Sequence, residues 1–195
     1  STQQLLEIHK FYKPLLKVLS DHRIQSIARL EQLVSSANLS FGQLMQAIFV
    51  LVGSGHVQLV QDDAIASKAK RSTDKLNVHL MHKSRSSTDL NYLASPVTGG
   101  GVNVNRFSQL FLLARTQGHK QPTEWAQFTW AILAAQGQRI LKEGKQLETA
   151  EENLAELNAQ AQAFADKQLP ILIALMVACP ADHCPPPIEP LKTGN

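Results

Sequence analysis

The chain has 195 residues, 44% of them apolar, a net charge of +3 and a pI near 8.9. That is enough to bury a core as one domain or two small units, and its Lys and Arg are too sparse for a dedicated nucleic-acid binder. Cys179 and Cys184 are the only cysteines, which excludes a disulfide framework and points to a reducing compartment, the cytoplasm by default. No run of about 18 uncharged apolar residues is present to span a bilayer, and Ser1-Thr2-Gln3-Gln4 does not open a secretory signal. The start without Met suggests a segment processed or excised from a longer protein.

Leu5, Ile8, Tyr12, Leu15, Leu16 and Leu19 recur at helical spacing, with Pro14 either beginning a second helix or kinking one. A second helix is predicted over Ile24 to Val34, and a third from Phe41 to about Val52. Ser40 and Gln43 form a capping box at the start of the third, and Leu39 and Leu44 occupy the staple positions around it. Gly53-Ser54-Gly55 stops that helix, and His56 to Val60 alternates as a strand would. Residues 1–62 therefore read as a winged-helix-like helical unit. DNA reading is not expected of it, because Phe41 to Val52 holds no Lys or Arg to neutralise phosphates.

Residues 63–91 turn polar and basic, as a helix or connector. Lys68, Lys70, Arg71, Lys75, Lys83 and Arg85 there form the candidate interaction surface for an acidic partner, against the alternative of a merely solvated face. His79 and His82 have metal-compatible spacing without a third ligand nearby. Gly99-Gly100-Gly101 lacks the spacing of a phosphate-binding loop and reads as a tight bend, leading through Val102 to Val104 into a helix from Arg106 to Arg115. A further helix after Pro122 places Trp125, Phe128, Ile132 and Leu133 along a core-facing side and ends near Gly137.

Two short strands, Gln138 to Lys142 and Lys145 to Leu147, are expected around a Glu143-Gly144 turn. The last helix then runs from Ala150 to about Ala178, with Thr149 and Glu152 as its capping box and a kink or break at Pro170. Residues 92–179 thus make a helical unit with a β-hairpin, and residues 180–195 a mobile Pro-rich tail. Cys179, His183 and Cys184 in and beside that tail supply only three potential zinc ligands. The fold class expected is mainly α with small β-hairpins and a long C-terminal helix.

Two stretches carry a family likeness. Leu141-Lys-Glu-Gly-Lys-Gln-Leu-Glu-Thr-Ala-Glu-Glu-Asn-Leu-Ala-Glu-Leu157 closely resembles the C-terminal part of the prokaryotic methyltransferase regulatory domain. Tyr92-Leu-Ala-Ser-Pro-Val-Thr-Gly-Gly-Gly-Val102, with Leu110-Phe-Leu-Leu-Ala114 after it, resembles that family's central segment. The likeness covers roughly residues 90 to 178, and its motifs are structural. It implies an accessory region of a class I S-adenosylmethionine-dependent methyltransferase, with no catalytic, cofactor-binding or metal residue in this chain. S-adenosylmethionine would then belong to a neighbouring catalytic domain. The partners it implies are that domain, in the same polypeptide, and a protein methyl acceptor; nucleic acid and membrane are not expected. The alternative reading is a winged-helix DNA-binding or protein-interaction module.

Overall fold

The computed structural model describes residues 12–21, 23–35 and 39–180. They are mainly helical, with two small antiparallel hairpins, and the chain divides into two compact units, residues 1–60 and 61–195.

In the first unit, residues 12–19 form α1, which contains Pro14. The segment before it, where a fresh start or a kink would be read, lies outside the described residues. Helix α2 is Ile27–Leu33 and begins three residues later than expected, because the Ser26 hydroxyl accepts the Arg29 N–H and so caps the helix there. Ile24 is left outside it. Helix α3, Phe41–Gly53, starts at the expected capping box: Ser40 Oγ accepts from the Gln43 N–H at 3.3 Å, and Gln43 Oε1 accepts from the Ser40 N–H at 2.9 Å. Leu15, Leu30, Val34, Leu44, Ala47, Ile48 and Leu51 form the core of this unit.

The strand expected at His56 to Val60 does not form. Gly55 takes a positive φ of 76°, and the His56 and Val57 N–H groups turn back to the Leu51 carbonyl at 3.0 and 3.2 Å. The alternating residues close the helix C-terminus, and no neighbouring strand is present among the described residues to pair with them.

The second unit opens with α4, Asp63–Lys83, followed by β1, Tyr92–Ser95, and β2, Gly100–Asn103. These strands pair antiparallel with Leu93 opposite Val102. The glycine run read as a simple bend is therefore the turn and returning strand of a hairpin. Gly99 takes a φ of 69°, and a Cβ there would collide with the Gln61 side chain. Helix α5, Arg106–Thr116, is central: Leu110 to Ala114 are all buried, so the helix is enclosed on every side. Helix α6, Pro122–Ala135, packs on α5 and on α7, Ala150–Ala163, and buries Trp125, Ile132 and Leu133 as expected.

Between α6 and α7 lies the hairpin of β3, Leu141–Lys142, and β4, Lys145–Gln146, shorter than the strands expected but turning at the expected place. Glu143 and Gly144 both take positive φ, 51° and 80°, as a two-residue turn matching strand twist requires. After α7 the chain widens into a π-turn, Phe164–Gln168, where the Leu169 N–H reaches back to Phe164, and continues as α8, Leu169–Ala174. Pro170 thus neither breaks nor sharply ends the helix. The wider turn absorbs the ring and the missing N–H just upstream of it. The helix stops at Ala174, short of Ala178, because the Val177 and Ala178 N–H groups close onto the Leu172 carbonyl around Met176, whose φ is 53°. Residues 181–195, including His183 and Cys184 of the three-ligand cluster and nearly all of the tail, lie outside the described residues.

Candidate interaction surfaces

Helix α4 is held in place by polar groups on its inner side. The Asn77 side chain is buried and grips the backbone of Ala94 in β1 from both directions: Nδ2 donates to the carbonyl at 2.8 Å, and Oδ1 accepts the N–H at 2.7 Å. One amide thereby completes the inner edge of the hairpin. At the helix C-terminus the Arg106 guanidinium donates to the Ser84 and Arg85 carbonyls at 2.8 and 2.9 Å and to Gln138 Oε1 at 2.7 Å. Its planar fork ties the last turn of α4 to the start of α5 and the loop after α6. Burial lowers the Arg106 pKa from its ordinary value, yet an arginine stays charged at physiological pH.

With Ala66, Asn77 and Met81 facing inward, the opposite side of α4 is left to solvent. The basic residues expected to form one surface do not all fall on it together. Lys68, Arg71 and Lys75 are exposed and lie three and four residues apart, with His79 continuing the row. Lys70 is partly buried, four residues after the inward Ala66, and pairs with Asp74. Lys83 and Arg85 are exposed at the C-terminal end. Among the described residues, no carboxylate pairs with Lys68, Arg71, Lys75, Lys83 or Arg85. Partial burial, followed by the charges of Arg85 and His79, pushes the His82 pKa down, which keeps its ring neutral near pH 7. No group of three or more His, Cys, Asp or Glu side chains that could hold a metal ion occurs among the described residues, so His79 and His82 stand without further ligands there.

A second surface, overlooked in the sequence, is the outer side of α3. Leu44, Ala47, Ile48 and Leu51 fill the core, while Phe41, Phe49 and Val50 stand 54%, 67% and 50% exposed. The helix holds no charged residue. Its lack of charge is legible in the sequence and argues against DNA there; Gln43 and Gln46 are exposed among the apolar residues, and Phe49 with Val50 forms apolar surface that favours burial against a partner.

A third feature is a shallow groove of about 290 Å³ between the second hairpin and α7, lined by Lys142, Leu147, Glu152, Ala155, Glu156 and Ala159. Its charged groups already have work. Gln160 donates to the Glu156 carboxylate at 2.9 Å and Lys142 Nζ pairs with it at 2.7 Å; the Gln160 hydrogen bond first, and then Lys142, hold the Glu156 pKa below the usual range. Glu152 accepts the Thr149 N–H at 3.0 Å, the Thr149 hydroxyl accepts the Glu152 N–H at 3.1 Å, and this capping box lowers the Glu152 pKa. No Ser, Cys, His or Tyr lines the groove. No helix among the described residues is long and apolar enough to cross a membrane.

No known family model matches the chain, and no solved structure matches it. The uncharacterized protein sll1526 of Synechocystis sp. is 33% identical over 169 residues, which cover 87% of this chain and 32% of that protein. The chain thus spans about a third of the length of this relative.

Proposed function

We propose that this chain is a non-catalytic accessory domain of an S-adenosylmethionine-dependent methyltransferase, which packs on the catalytic domain or helps to present the methyl acceptor. The observation that carries the packing role is the outer side of α3, where Phe49 and Val50 stand 67% and 50% exposed on a helix without charge, with Phe41 exposed on its flank. The methyltransferase assignment rests on the likeness of Tyr92 to Val102 and of Leu141 to Leu157 to the regulatory domain. About two thirds of the Synechocystis relative lies outside the match, room enough for a doubly wound catalytic domain. The two cysteines and the modest charge suit a cytoplasmic setting.

Calorimetry tests the division of labour. S-adenosylmethionine titrated into this chain should give no binding heat, whereas the part of the Synechocystis relative outside the match should bind it. Micromolar binding by this chain alone overturns the accessory reading. Mixed in gel filtration, the two pieces should co-elute, and Phe49→Glu should abolish co-elution while leaving the fold intact.

A further inference from the structure

The outer side of α4 combines two kinds of side chain in adjacent rows. Lys68, Arg71, Lys75 and His79 form one row about 16 Å long, and no carboxylate among the described residues pairs with its lysines or arginine. Beside it, Ile65 and Leu76 stand 51% and 48% exposed, three helical turns apart and so on one line of the same helix. We propose that this face is a docking site for an acidic amphipathic helix of a protein partner, whose carboxylates would meet the basic row while its apolar residues cover Ile65 and Leu76.

The choice of partner follows from what the face offers. A ladder of cations at three- and four-residue spacing matches carboxylates at the same helical spacing across an interface, and unpaired charge on one side steers a partner of opposite charge. A polynucleotide would engage the cations but leave Ile65 and Leu76 uncovered, and the face carries no aromatic ring on the scale of Phe, Tyr or Trp for a base to stack on. A membrane-surface helix buries a broad apolar side in lipid, whereas the apolar side of α4 is turned inward through Ala66 and Met81. This inference stands apart from the accessory reading, which rests on α3 and on the family likeness.

The test is fluorescence anisotropy at about 0.15 M salt, where exposed charges are screened beyond roughly 8 Å. Four labelled probes are compared: a synthetic helix-forming peptide with Glu at the spacing of the basic row and Leu on the adjoining row, the same peptide with Lys for Glu, a single-stranded DNA oligonucleotide, and vesicles of phosphatidylcholine and phosphatidylserine. The acidic peptide should bind saturably and more weakly as salt is raised, and the Lys peptide should not bind. The triple variant Lys68→Glu, Arg71→Glu, Lys75→Glu should weaken the acidic peptide at least roughly tenfold. Ile65→Ser with Leu76→Ser should weaken it severalfold at unchanged salt dependence. All five side chains are exposed, so circular dichroism and melting should match the parent, confirming that loss of binding is local. The proposal fails if the acidic peptide does not bind, if the triple variant binds it undiminished, or if the DNA or the vesicles bind more tightly than the peptide.

Discussion

Single side chains do much of the organising here, and their work can be measured. Thr149 and Glu152 satisfy N–H groups that the first turn of α7 leaves without partners. Thr149→Ala should lower stability by about 0.5 to 2 kcal/mol in denaturant unfolding, and Glu152→Gln by less, since an amide oxygen can still reach the cap. The Glu152 and Glu156 carboxyls have folded pKa values below their ordinary 4.5, so their contribution is fully present above about pH 4.5 and is lost as pH falls through the lowered values. Melting followed from pH 7 to pH 2 should drop on that acid side, and the Glu152→Gln drop should be shallower. Asn153 had no comparable signal in the sequence. In a run of Glu, Asn and Ala it reads as surface, yet its side chain is fully buried, accepting the Ile140 N–H at 2.8 Å and donating to the Leu147 and Thr149 carbonyls at 3.0 and 2.7 Å. Asn153→Leu strands the Ile140 N–H and the Leu147 carbonyl at about 1 to 3 kcal/mol each, while the Thr149 carbonyl keeps the Asn153 backbone N–H at 3.2 Å, so chemical unfolding should show a loss of about 2 kcal/mol or more.

At the scale of elements, helices announced themselves where periodicity and caps agreed. Ser40 with Gln43 and Thr149 with Glu152 lie where expected because the capping signal is local. Elements that depend on distant partners were less legible. The alternation at His56 to Val60 has the pattern of a strand without a mate, and the Leu51 carbonyl captured its first N–H groups instead. Conversely, β1 and β2 were hidden by glycines with poor strand propensity, and they pair because Asn77 from α4 and Gln109 from α5 hold the hairpin, Gln109 by donating to the Leu90 and Val104 carbonyls. The α4 interaction face was visible as composition, but which cations share a row needed the helix boundaries, and the α3 face needed its burial. Arg106 belongs to this scale too, since one fork joins three elements. Arg106→Ala should cost about 1 to 3 kcal/mol in thermal or chemical unfolding, and Arg106→Lys should recover less than half, because a single ammonium cannot reproduce the planar pair of contacts to Ser84 and Arg85.

Each unit closes its own core and leaves one helix side of distinct character exposed, uncharged with Phe49 and Val50 on α3 and basic with Lys68, Arg71 and Lys75 on α4. Folding alone explains neither. The inner residues of α3 already fill the first core, so exposed phenylalanines add little to stability. They do add a tendency to associate, because burying apolar area is worth about 25 cal/mol per Å² whichever surface covers it. The isolated chain, with a net charge of only +3 to oppose contact, should therefore self-associate weakly as concentration rises in sedimentation velocity. Phe49→Glu should keep the chain monomeric over the same range and shift unfolding by no more than about 0.5 kcal/mol, the scale of ordinary surface substitutions. The inner side of the same helix behaves the other way: Leu44→Ala, in the core, should cost about 2 to 5 kcal/mol without relieving association. Equal self-association of the parent and the Phe49→Glu variant would show that the outer face of α3 is not adhesive, and the packing role proposed for it would fall with that result.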